Sequence, residues 1–137
     1  MKYSRFEQLP VWQDAIDLAV RVFTLTKRPA FKHYRSIRDQ IERASTSISN
    51  NIAEGFERGT PQEILPFLYL SRGSSGETRS VLCLCERLPD FINLRSEISD
   101  LKSKAESISA TKAMGRYTAK FRHSRSEIFD KQNEKFD

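Results

Sequence analysis

Apolar residues recur at helical spacing in four stretches of this chain, and Pro10, Pro29, Pro61 and Pro89 stand at the borders of those stretches. Proline fixes φ and lacks an amide donor, so it is at home in the first turn of a helix or just past its end, and it interrupts anything longer. The fifth proline, Pro66, falls near enough to the start of the third stretch to be tolerated. Glycine and proline number 5 each, too few for the many turns of a sandwich or barrel. The expected fold is all-α, an antiparallel up-and-down four-helix bundle. With 137 residues there is room for one domain with a real core, expected over residues 1–125, and residues 126–137 read as a polar tail that frays.

The first helix is expected from Pro10 to just before Pro29. Trp12, Ala15, Ile16, Ala19 and Phe23 form one apolar stripe, and Val11, Leu18, Val22 and Leu25 form a second beside it. A helix in a monomeric bundle needs only the first stripe buried. The second therefore predicts contact with another copy of the chain, the plainer alternative being a helix central in its own bundle.

The second helix is expected from about Tyr34 to Arg58, with Ile37, Ile41, Ala44, Ile48, Ile52 and Gly55 facing inward. Beside that stripe runs a polar ladder, Gln40, Arg43, Ser47, Asn50, Glu54 and Arg58, next to Asn51. Gln40, Arg43, Asn50, Asn51, Glu54 and Glu77 are expected to form a structural hydrogen-bond network between helices rather than a reactive site. Gly59 ends this helix, and Thr60-Pro61-Gln62-Glu63 supplies an N-cap, an N1 proline and a capping-box glutamate for the third, which runs to about Leu88. Gly73-Ser74-Ser75-Gly76 resembles a loop or an RNA-clamping GXXG. Apolar periodicity nevertheless continues in phase from Phe67 and Leu68 to Val81 and Leu82, so the small residues read as a mid-helix waist where another helix packs closely. A fourth helix starts near Asn93 with Leu94, Ile98, Leu101, Ala105 and Ile108 inward, and its phase slips beyond that point.

Reactive chemistry finds little support. HExxH, CxxC pairs, GxxxxGK and the dinucleotide fingerprint are absent. His33 and His123 have no ligand spacing to each other or to the cysteines, and no Glu-x-x-His pair suggests a di-metal bundle. Cys83 and Cys85 point away from each other on a helix and read as buried thiols of a reducing cytoplasm. No cofactor, metal or small-molecule substrate is expected, nor catalysis, and no apolar run is long enough to span a membrane. The formal net charge is +5, and between Lys112 and Arg125 lie five bases (Lys112, Arg116, Lys120, Arg122, Arg125) without an acid. Such a run can engage phosphate backbones of RNA or DNA, although a solvated helix face is the commoner meaning.

Gln40-Ile41-Glu42-Arg43-Ala44, Ser47-Ile48, the block Asn50-Asn51-Ile52-Ala53-Glu54-Gly55 and Arg58, followed by Phe67-Leu68 and Gly73-Ser74 with Glu77, resemble the bacterial family first noticed as reading frames within intervening sequences of 23S ribosomal RNA genes. The likeness covers roughly Phe6 to Leu88. It implies an antiparallel four-helix bundle in a ring-like homopentamer without established enzymatic activity. A related branch, the accessory protein of diversity-generating retroelements, resembles this architecture and works with a reverse transcriptase and its RNA. Ser71, Arg72 and Glu42 depart from the usual family pattern, and Glu42 lowers the positive charge of the body, which leaves Lys112 to Arg125 as the better nucleic-acid candidate. The expectation is a cytoplasmic, non-enzymatic, homo-oligomeric scaffold associated with nucleic acid, with a protein-binding adaptor as the alternative.

Overall fold

Leu9 is extended (φ −70°, ψ 122°) and hands the chain to Pro10, whose fixed φ begins α1, Pro10–Thr26. In the computed structural model, which describes residues 3–111, three further helices follow: α2 (Arg35–Arg58), α3 (Pro61–Arg87) and α4 (Arg95–Ser109). Short 3-10 turns cover Phe6–Gln8, Pro29–His33 and Pro89–Leu94, and no strand occurs among the described residues. Each helix packs on its sequence neighbours and α4 closes back on α1, which makes an antiparallel bundle around one core.

The buried side of α1 departs from the expectation. Val11, Leu18, Val22 and Leu25 are enclosed within the single chain, none more than 8% exposed, so they offer no surface to a neighbouring copy. Helix α1 lies between α2 and α4, and a helix flanked on two sides buries a wider arc than one stripe. The outward residues are instead Val20, 60% exposed, and Phe23, 43% exposed, the latter read from the sequence as core.

Gly59 closes α2 in the left-handed conformation at φ 86°, a backbone state that suits glycine. Thr60 then caps α3 by accepting from the Glu63 amide, while its own hydroxyl donates to Glu63 Oε2 at 2.7 Å. Helix α3 runs unbroken through Pro66 and through Gly73–Gly76, as the periodicity requires. The close packing within the chain is made by serines rather than by those glycines. Ser71 Oγ donates to the Ile48 carbonyl on α2 at 2.8 Å, and Ser75 Oγ to the Ala105 carbonyl on α4 at 2.6 Å. Both hydroxyls are buried and satisfied, so they permit short interhelical distances without an orphan polar group. Gly55 marks a close crossing of α2 and α3: a Cβ there would stand 2.8 Å from Phe67 Cβ.

At one end of the bundle the two proline-led turns lock together. Phe31 and Phe91 are fully buried and meet edge to face at 4.7 Å, and Tyr34 Oη donates to Asp90 Oδ2 at 2.8 Å. Arg28 donates to the Glu97 carboxylate and so ties the α1–α2 turn to α4. The expected change of phase after Ile108, the basic run Lys112 to Arg125 and the tail 126–137 lie outside the described residues.

Candidate functional site on the outer face of the bundle

The polar ladder of α2 occupies the outer ridge of the helix. Gln40, Arg43, Asn50, Glu54 and Arg58 are exposed, while Ser47 and Asn51 sit half-buried toward α3. Ser47 is the hub of what is hydrogen-bonded there: Ser74 Oγ donates to its hydroxyl at 2.9 Å, and Asn51 Nδ2 donates to its hydroxyl at 2.9 Å and its carbonyl at 2.8 Å. Glu54 pairs with Arg58 at 3.2 Å, and the Arg58 guanidinium stands 5.2 Å from the Phe67 ring centroid.

Among the described residues these bonds do not close the expected buried charged network. Arg43 reaches only the Asp39 carbonyl, at 3.4 Å, and neither Glu54 nor Glu77 pairs with it. Gln40, Arg43, Ala44, Ser47 and Glu77 do come together, around an open cleft of about 310 Å³ between α2 and α3. The physical reason is that the ladder faces solvent, where charges stay hydrated. The polar work inside falls to hydroxyls, those of Thr26, Ser45, Ser49, Ser71, Ser75 and Thr78. Gly55 belongs to the packing, as its close approach to Phe67 shows. Gly73 and Gly76 face outward: a Cβ at either would meet nothing within 4 Å. Leu70, Gly73, Glu77 and Leu84 share one side of α3 at helical spacing, and the two leucines are 57% and 48% exposed.

Two open grooves lie between α1 and α2. One, about 660 Å³, follows the ladder from Asp39 to Glu54, with Phe23 on its α1 side. The other, about 610 Å³, sits at the end of the bundle beside the α1–α2 turn and is lined by Phe23, Thr26, Lys27, Arg28, Pro29, Lys32, Arg38 and Glu42. This second groove escaped the sequence reading, although its signal was present. Between Asp17 and Asp39 stand Arg21, Lys27, Arg28, Lys32, Arg35 and Arg38 without one acid. Acids elsewhere in the body balance that run in the net charge, which leaves the excess on the C-terminal bases.

Among the described residues no three His, Cys, Asp or Glu side chains are placed to hold a metal ion. Both cysteines are free thiols, and burial pushes Cys85 from its ordinary 9.0 up to about 11, away from the nucleophilic thiolate form. No helix among the described residues is long and apolar enough to cross a membrane.

These features define a class: small all-helical bundles whose distinguishing residues lie on an outer face rather than in a pocket. The family model for the 23S rRNA-intervening sequence protein matches residues 7–115, and the chain belongs to that family. Among solved structures, it is similar to a protein of unknown function from the S23 ribosomal protein family of Bacteroides thetaiotaomicron VPI-5482. The two share 22% identity with a TM-score of 0.56, over 74% of this chain and 99% of that one, a likeness of fold. No curated protein matches the chain.

Proposed function

We propose that the protein is a cytoplasmic, non-enzymatic scaffold that assembles with copies of itself, as the pentamer the family resemblance implies, and associates with nucleic acid through its phosphates. The observation that carries the reading is the outward pair Gly73 and Gly76. Each mid-helix glycine costs roughly 1 kcal/mol relative to alanine, and among the described residues nothing packs against the Cβ position of either to offset that cost. The bare backbone at Gly73, between the exposed Leu70 and Leu84 and one turn from Glu77, lets a second helix approach closely. The neighbouring ladder of α2 offers that helix hydrogen-bonding partners that the chain itself leaves exposed. This α2/α3 face replaces Val11, Leu18, Val22 and Leu25 as the proposed oligomer surface.

The nucleic-acid part rests on the bases from Lys112 to Arg125, which assembly would repeat around a ring. Light scattering should give about five times the 15.9 kDa chain mass. Labelled RNA should bind at low salt with weak sequence preference, and log affinity should fall with log salt by about 0.7 per phosphate contacted. Changing Lys112, Arg116 and Lys120 to Glu should weaken that binding and leave the mass unchanged. A stable oligomer that binds neither RNA nor DNA at low salt would overturn the nucleic-acid reading in favour of the protein-binding adaptor.

A further inference from the structure

The groove at the α1–α2 end has the composition of a site for single-stranded nucleic acid. Lys27 and Lys32 are exposed on its rim, and no carboxylate among the described residues pairs with either. Arg38 adds a third cation, 3.7 Å from Asp39 and with 38% of its side chain exposed. Arg28 is held by Glu97, so it stiffens the rim rather than offering itself to a ligand. At the inner edge lies Phe23, an aromatic ring 43% exposed that lines this groove and also the ladder groove beyond. The ladder groove has the opposite charge, since Asp39, Glu42 and Glu54 face Arg43 there. A phosphate chain is attracted at Lys27 and Lys32 and repelled past Phe23. Glu42, whose Oε1 accepts the Thr26 hydroxyl at 2.7 Å, is the carboxylate at that boundary.

We infer that this groove binds the phosphates of single-stranded RNA or DNA through Lys27, Lys32 and Arg38, with one unstacked base laid on Phe23. The inference rests on the nucleic-acid reading above and adds a site on the helical body, distinct from the C-terminal bases. Cations that follow a backbone beside an aromatic platform are the usual means of gripping a single strand without reading its sequence. A duplex keeps its bases stacked and cannot use Phe23, so the groove favours single strands.

The test is fluorescence anisotropy of the full chain with a short labelled single-stranded RNA across a salt series, with the matching duplex as competitor. Combined Lys27→Ala, Lys32→Ala and Arg38→Ala should flatten the slope of log affinity against log salt by about 2. Phe23→Ala should weaken binding about tenfold while leaving that slope unchanged. Circular dichroism checks that each variant keeps the parent's melting curve. Unchanged affinity and slope in the triple alanine variant, with RNA still bound, would overturn this site and leave the C-terminal assignment standing. Unchanged affinity in Phe23→Ala, or a duplex that competes as well as the single strand, would overturn the stacking role and with it the single-strand assignment. A parent that binds no RNA at low salt would overturn both this inference and the reading it rests on.

Discussion

Arg43 stands on the outer ridge of α2, exposed, with a long hydrogen bond to the Asp39 carbonyl. Removing a charge from such a position leaves no buried partner orphaned, so Arg43→Ala should change folding stability by less than about 1 kcal/mol, where a buried network would have lost roughly 3 to 5. Chemical denaturation of a dilute sample measures this. Cys85 behaves differently because its thiol is enclosed. Its value is raised to about 11 in the folded chain from the ordinary 9.0, so the unfolded chain gives up that proton first. The resulting stability is fully present below pH 9 and is lost as pH rises toward 11. Cys85→Ala should therefore be less stable than the parent at neutral pH through the cavity it leaves, and the gap should narrow by up to about 2 kcal/mol at alkaline pH. Parallel melting curves of the two proteins over that range check the sign.

At the scale of elements, the glycines of α2 and α3 make opposite predictions from the same substitution. Gly55→Ala should destabilise the fold by about 1 to 3 kcal/mol, because the new Cβ would collide with Phe67 Cβ, which is fixed to the backbone of α3. Gly73→Ala and Gly76→Ala enter open space and should each raise stability of the single chain by about 0.5 to 1 kcal/mol. Urea titrations of the three variants separate these outcomes. The helices themselves were legible because local chemistry marks their ends: Pro10, the Gly59 to Glu63 cap and the Pro89 break all stand where the pattern put them. The partner of an apolar or polar arc was not legible. Periodicity says which residues share a side of α1, but only the positions of α2 and α4 decide that Val11, Leu18, Val22 and Leu25 face inward and Phe23 outward. The ladder of α2 shows the same limit, since polar residues on the shoulder of a core stripe look alike whether a helix or water covers them.

For the whole molecule, the body divides its surface by chemistry. One end gathers an acid-free run of bases beside the locked aromatic turns, while the α2/α3 face presents glycine and leucine beside a polar ladder in which Arg43, Glu54, Arg58 and Glu77 mix both signs of charge. That division lets one bundle pack against its copies without covering its basic groove. The claim that the α2/α3 face is a docking surface predicts a separation of fold from assembly. Gln is a good helix former, so Gly73→Gln should fold at least as stably as the parent while its side chain blocks the approach of a second helix. The decisive measurement is the light-scattering mass of Gly73→Gln beside that of the parent at the same micromolar concentration. The account predicts an oligomeric parent and a variant that is folded by circular dichroism but close to the 15.9 kDa of one chain. A monomeric parent, or a variant of the same oligomeric mass as the parent, would contradict it.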